Sequence, residues 1–583
     1  MNATKIELQI EDALRFLYGP DRAALLTQQL LALVRHYQGK DAADRTAVPA
    51  RRRTLAIDQR DVMLITYGDQ VIENGRPPLM TLKHVLDAYF RSAINSVHLL
   101  PHFPYSSDDG FSVIDYTAVD PELGTWENIV DLTREYKLMF DAVINHISSK
   151  SAWFQGYLKD DERYDDYFIE ADPKSDLTQV FRPRALPLLT TFSKGGTEKY
   201  LWTTFSADQI DLNFSNPKVL LEVVDVLLTY VKNGASLLRL DAIGFLWKEV
   251  GTRCFHLPQT HMVVRLIRLV LDLVKPAVML VPEINGTLDE NLPYLGNGSN
   301  EAQMIYNFAL APLALDAFAR GDASILSGWL KQLPPASSTT TLFNFLASHD
   351  GISVRAAAGI LDDSQIDRLV ERTEGCGGIV NFRLDDAGNK KPYELATTLY
   401  DVINCGTEES THLARFRCIH AMMLSLAGMP GIYFHSFLGT ENWKAGYDKT
   451  RHARTLNRKK FSLQEFEALF DDPSSRAANV HDAMTALLKA RTSEPAFSPA
   501  APQFILDSRP EVVAIKRSRL DQSGCVYAIH NISDKPVIHA FATPVSGLDL
   551  LTAQPIGSVQ EFPLEPYAVL WMFVSEGHGT ENR

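Results

Sequence analysis

Residues 234–249 read GASLLRLDAIGFLWKE. A glycine followed by Ala, Ser and Leu reads as the entry to a buried strand, yet this one carries an arginine and an aspartate two positions apart at its end. Side chains alternate along a strand, so Ala235, Leu237, Arg239 and Asp241 share one face while Ser236, Leu238 and Leu240 share the other. Two charges on one face of an apolar strand are expensive to bury unless they are paired or used. Taken alone, the stretch leaves a structural ion pair and a working site equally open.

Outward from it, short apolar runs alternate with helical stretches. The runs are DVMLITY (61–67), NSVHLLP (95–101), KLMFDAVINH (137–146), SLLRLDA (236–242), AVMLVPE (277–283), QMIYNFA (303–309), LFNFLASHD (342–350) and GIYFHS (431–436). Helical patterns such as VLLEVVDVLLTYVKN (219–233) and HMVVRLIRLVLDLVK (261–275) separate most of them. Eight strands in that rhythm predict an α/β fold, a closed (β/α)8 barrel over 55–146 and 216–490. Two connections are too long for barrel loops: 147–215 after the third strand and 351–408 after the seventh, each expected to build a lid or a specificity wall. Residues 1–54 read as a helical extension, with Pro20-Asp21 opening its second helix and the basic PARRRT (49–54) as connector. Strand-like runs after FSPAAPQF (497–504) predict a small antiparallel β domain over 500–575, and EGHGTENR reads as a frayed tail.

The 583 residues carry a formal charge of −14, which argues against a general nucleic-acid surface. The five cysteines are scattered and lack C-x-x-C spacing, so neither a disulfide framework nor a zinc site is expected. The N-terminal MNATKIELQIEDALRFLYG is amphipathic and acidic, and no run of about 18 apolar residues occurs. The expectation is a soluble cytoplasmic protein, monomer or homodimer, with no cofactor, metal, membrane or nucleic-acid partner.

In such a barrel the reacting groups gather at the carboxyl ends of the strands. Here the third strand ends in Asn145-His146, the fourth in Arg239 and Asp241, the fifth in Glu283 and the seventh in His349-Asp350. Three carboxylates at one rim, with an arginine and histidines and no cysteine cluster, suit glycosyl transfer better than metal chemistry. Arg239 would keep Asp241 ionised, as a nucleophile requires, whereas burial after the apolar MLVP run would keep a proton on Glu283. Asp350 is left as a third anion facing a cationic transition state.

DAVINH (141–146), RLDA (239–242), Glu283 and SHD (348–350) resemble the four sequence regions of the α-amylase clan, glycoside hydrolase family thirteen. SSDDGFSVIDYTAVDPELG (106–124), FRPRALPLL (181–189), LWTTFSADQIDLNF (201–214) and LNRKKF (456–461) resemble its sucrose phosphorylase branch. The N-terminal extension, LDAIGFLWKE and FNFLASHDGI are most similar to glucosylglycerate phosphorylases. The resemblance implies a TIM barrel with an inserted B domain at 147–215 and a mobile acceptor and phosphate loop within 351–408. It implies Asp241 as nucleophile, Glu283 as acid/base and Asp350 as transition-state stabiliser. Asp108, Phe111, His146, Arg239, His349 and Arg458 would then line the glucosyl subsite, and Arg184, Tyr393, Lys391 and Glu394 would face phosphate or acceptor. The implied reaction is transfer of glucose from an α-glucoside to phosphate with retention, 2-O-α-D-glucosyl-D-glycerate being the first candidate donor. Sucrose 6′-phosphate, glucosylglycerol and sucrose phosphorylase activities stand as alternatives, followed by a plain hydrolase and an inactive amylase-like binding protein.

The chain departs from the pattern on the acceptor side. Relatives usually carry T-E-T-N-V-P-H around the acid/base, where this chain has VPEINGT (281–287). Lys390-Lys391 precede Pro392, Tyr393 and Glu394 where relatives often have a serine. These lysines, together with a Phe245 that offers no hydroxyl to glycerol, point to an anionic acceptor.

Overall fold

The computed structural model describes residues 3–38, 54–184, 186–384 and 389–575. Eight strands, each overlapping one of the apolar runs, form its central sheet: β1 (Met63–Thr66), β2 (Ser96–Leu99), β3 (Lys137–Ala142), β4 (Ala235–Leu240), β5 (Met279–Pro282), β6 (Met304–Tyr306), β7 (Thr341–Phe345) and β8 (Met429–Tyr433). They run in the order β5-β4-β3-β2-β1-β8-β7-β6, every ladder parallel, which is an α-amylase-type TIM barrel closed except at one seam. At the seam no ladder joins β5 to β6 among the described residues. Gln303 stitches it instead, donating its backbone N–H to Leu280 O at 3.3 Å and accepting from Leu280 N at 3.0 Å through its side-chain oxygen.

Strand β4 holds one surprise. Ala235 pairs with Leu138 and Leu237 with Met139, so Ser236 is an extra residue in a β-bulge. A bulge resets the alternation, which takes Ala235 off the face shared by Leu237 and Arg239. Arg239, opposite Asp141 in the ladder, is buried inside the barrel mouth.

Helix formation around the barrel follows ordinary rules. Helix α3 (Pro217–Lys232) starts with Pro at its first position and Asn216 as cap, whose side chain accepts from Lys218 N at 3.0 Å. Its apolar face, including Val223, Leu227 and Val231, is buried. The N-terminal pair, α1 (Ala3–Tyr18) and α2 (Pro20–Gln38), packs on α3 and on α4 (Pro258–Val274). Tyr18 donates to Phe214 O at 2.9 Å, Tyr37 to Asp225 Oδ1 at 2.8 Å and Gln38 to Leu273 O at 2.8 Å. Most of the predicted basic connector (residues 49–53) and the predicted frayed tail (576–583) lie outside the described residues.

The segment expected as an acceptor loop holds a helix, Asp363–Gly375, and a small sheet. Strands Ile352–Ser353, Ile379–Leu384 and Lys390–Ala396 pair antiparallel, with Lys390–Ala396 in the middle. Asn381 pairs with Glu394 and Phe382 with Pro392, so Tyr393 is the extra residue of a bulge. The bulge both accommodates Pro392, which has no N–H to donate, and re-aims Tyr393. After the barrel, six strands between Gln503 and Ser575 form the antiparallel C-terminal domain. Buried Arg517 binds it to the barrel end through Ser425 O at 2.9 Å and Ser498 O at 2.6 Å.

Inside the barrel Tyr306 packs edge-to-face on both Phe343 and Phe345, the Tyr306–Phe343 ring centres being 5.1 Å apart. Phe343 fits because β8 offers Gly431, where a Cβ would stand 2.4 Å from the Phe343 ring. Gly431→Ala should therefore destabilise the protein by about 1–3 kcal/mol through overpacking, read as a lower midpoint of thermal or urea unfolding.

Candidate active site

The strand ends converge on one cavity. Its floor carries Asp241, Glu283 and Asp350; Asp108, Phe111 and His146 line one side. The 147–215 insertion contributes Phe181, Pro183, Arg184, Phe205 and Gln209, and the 351–408 insertion contributes Arg355 and Tyr393.

Arg239 ties the floor together. Its Nη1 donates to Asp141 and to Asp241 Oδ1, the latter at 2.7 Å, and its Nη2 stands 3.8 Å from Glu283 Oε2. Asp141 is held on its other oxygen by His98 Nε2 at 2.7 Å. Immediately after the strand, Ala242 adopts φ +49°, a left-handed conformation that L-residues with a Cβ seldom take. From there its N–H donates to Glu283 Oε2 at 3.2 Å, so the strained residue links the two carboxylates.

Their electrostatics differ from the expectation for Asp241. Burial pushes Asp241 up, and with Glu283, Asp141 and Asp350 nearby Arg239 does not bring it back; it is raised from 3.8 to about 8. Burial raises Glu283 also. Two raised carboxyls on one buried floor titrate as a pair, so Arg239 does not by itself keep both ionised. Asp350 goes the other way. Burial works against its charge, but Arg454, His349, Arg458 and Arg239 outweigh it and hold the carboxyl well below the usual range. Asp141 behaves likewise, with Arg239 and His98 overcoming burial to bring it to about 2.

Of the remaining expected residues, His349 stacks on Phe111 with centroids 5.1 Å apart and planes 2° from parallel. Arg458 lies behind the cavity, donating to His349 O at 2.8 Å and to Asp109 Oδ2 at 2.5 Å. His146 is paired with Phe111 O at 3.0 Å, and Asp108 accepts from Gln209 Nε2 at 3.3 Å and lies 3.6 Å from Arg184 Nη2. Arg184 and Tyr393 both face the cavity. Lys391 and Glu394 do not. Exposed Lys391 pairs with Asp363 at 3.2 Å, and buried Glu394 grips Arg454 at 3.0 and 2.7 Å. Lys390 is exposed as well.

Sequence reasoning missed Arg454 and Arg355. Arg454 bridges Asp350, at 2.7 Å, to Glu394. It lies in RHARTLNRK, four residues before Arg458, so the repeated basic spacing was the available signal. Arg355 follows the seventh strand by ten residues and stands alone in an apolar run, which offers no pattern to read. A further wall of Phe181, Phe205, Phe245 and Phe255 stacks beside the floor, Phe181 and Phe255 being 4.6 Å apart. Among the described residues, no group of three or more His, Cys, Asp or Glu is arranged to hold a metal ion, and no helix is long and apolar enough to cross a membrane.

Residues 88–364 match the alpha amylase catalytic domain. Over 97% of its length the chain is 46% identical to a glucosylglycerate phosphorylase of Allomeiothermus silvanus, covering 99% of that protein. A second glucosylglycerate phosphorylase, from Spirochaeta thermophila, is 40% identical over 97% of this chain and 98% of its own length. The chain belongs to the phosphorylase branch of the α-amylase family. The crystal structure of sucrose 6F-phosphate phosphorylase from Thermoanaerobacter thermosaccharolyticum superposes with a TM-score of 0.72 at 24% identity, covering 86% of this chain and 98% of that one, and so shares the fold.

The phosphorylase carries a stability penalty in its floor. Folding buries Asp241 and Glu283 together and leaves their floor holding a proton that unfolded carboxylates give up at about 4, so stability falls as pH rises from there to about 8. Asp241→Asn should remove this penalty. At pH 8 the variant should be more stable than its parent by at least about 1 kcal/mol, the advantage vanishing towards pH 4, as measured by denaturant unfolding at each pH.

Proposed function

We propose that this enzyme transfers glucose from 2-O-α-D-glucosyl-D-glycerate to phosphate, giving α-D-glucose 1-phosphate and D-glycerate, reversibly and with retention. The near full-length identity to two glucosylglycerate phosphorylases carries the choice of substrate. The cavity supports the chemistry. A retaining mechanism needs two carboxylates, one nucleophilic and one able to give and take a proton.

With the glucoside bound, the proton shared by the floor sits on Glu283 and the charge on Asp241, because Arg239 donates to Asp241 at 2.7 Å but stands 3.8 Å from Glu283. Asp241 attacks the anomeric carbon while Glu283 protonates the departing glycerate oxygen, leaving a glucosyl ester on Asp241. Phosphate then attacks that carbon, Glu283 takes the phosphate proton, and the ester bond breaks to free Asp241. Asp350, held ionised by Arg454, Arg458 and His349, stabilises the positive charge that builds on the sugar in both steps. Asp108, Phe111, His146 and His349 surround the glucosyl ring, and Arg184 and Tyr393 meet phosphate, the guanidinium through paired hydrogen bonds.

Three measurements test this reading. Glycerate release from glucosylglycerate should require inorganic phosphate, and proton NMR of the fresh product should show the α-anomer of glucose 1-phosphate; phosphate-independent release of free glucose or a β-anomer would overturn the proposal. Asp241→Asn should lose at least about 10⁴-fold in kcat, since an amide cannot form the ester. Glu283→Gln should impair natural donors far more than glucosides whose leaving group needs no proton, and equal loss on both would remove Glu283 from the acid/base role.

A further inference from the structure

We infer that Arg355 recognises the acceptor's carboxylate and so sets the enzyme's choice of an anionic acceptor, an inference that rests on the phosphorylase reading above. Arg355 lines the cavity with its side chain only 8% exposed. Its Nη1 donates to Asn285 O and its Nη2 to Glu290 Oε1 at 2.6 Å, while the guanidinium lies 5.0 Å over the Phe181 ring. Two of its five N–H groups are engaged there, and the fork is fixed in one plane.

The position matters more than the charge. Asn285 lies two residues after Glu283, and the group that Glu283 protonates is the acceptor oxygen. A cation bonded to Asn285 therefore stands on the side where the acceptor leaves and returns. The chain makes room for it at Gly286, where a Cβ would be 2.5 Å from Arg355 Nη1 and 2.1 Å from Glu290 Oε2. The glycine of VPEINGT (281–287) thus builds the arginine's seat.

The other cations are committed elsewhere. Lys391 pairs with Asp363 away from the cavity, Arg454 is divided between Asp350 and Glu394, and Arg184, 3.6 Å from Asp108, is the cation assigned to phosphate. A planar, pre-positioned guanidinium matches a carboxylate better than a hydroxymethyl group.

The test runs synthesis from glucose 1-phosphate with D-glycerate or glycerol as acceptor, both on one preparation. Arg355→Gln should lower kcat/KM for glycerate about 100-fold and change that for glycerol less than about threefold. Arg355→Lys, which keeps the charge and the packing but not the fork, should lose about tenfold on glycerate alone and guards against a glutamine variant that folds poorly. A glutamine variant that keeps the parental glycerate-to-glycerol ratio overturns the inference, as does a lysine variant that loses both acceptors alike. An Arg355→Gln enzyme whose phosphate KM on a neutral glucoside rises as much as its glycerate KM overturns it too, by assigning the arginine to phosphate. A parent enzyme that ignores glycerate overturns the substrate reading itself, and this inference with it.

Discussion

Everything at the floor of this enzyme hangs on one buried guanidinium. Arg239 is inside the barrel, where an unpaired charge is prohibitive, and it is tolerated because Asp141 and Asp241 accept its hydrogen bonds while Glu283 lies at the edge of its field. One positive charge among three carboxyls cannot keep all of them ionised. The floor therefore must hold a proton, and a site that breaks a glycosidic bond needs one. Asp350 escapes this arithmetic because Arg454 and Arg458 serve it separately.

The two insertions complete the site in different ways. The first supplies Phe181 and Phe205 of the aromatic wall, together with Arg184. The second reaches in by a β-bulge that turns Tyr393 towards the cavity and by an ion pair from Glu394 to Arg454, so the sheet that carries the phenol also fixes the arginine on Asp350. Arg355, from the same insertion, is seated by the loop after Glu283. The second insertion is thus tied both to the loop after Glu283 and to the charge on Asp350.

Much of this was legible in the chain. The eight apolar runs place the barrel strands because buried parallel strands need continuous apolar residues, and the polar groups that end them mark the rim. The bulge at Ser236 was not legible, since one extra residue in a uniform apolar run leaves no trace in the alternation. The sign of the Asp241 shift was missed for a related reason: Arg239 adjoins it in sequence, whereas the opposing carboxyls Asp141, Glu283 and Asp350 arrive from three other strands. Lys391 and Glu394 show the same limit. Their charges were visible, but the partners that occupy them, Asp363 and Arg454, lie 28 and 60 residues away.

The seam of the barrel has a consequence for how such enzymes diversify. Among the described residues strand β5, which Glu283 follows, is laddered to β4 alone, and Gln303 joins it to β6 through its backbone N–H and its side-chain oxygen. The nucleophile's strand, by contrast, is laddered on both sides. Change in the loop after β5 is therefore insulated from the glucose-holding half, because little rigid hydrogen bonding transmits it across the seam. A substitution within VPEINGT (281–287) can reshape the seat of Arg355 while the ladders that hold the strand of Asp241 stay as they are.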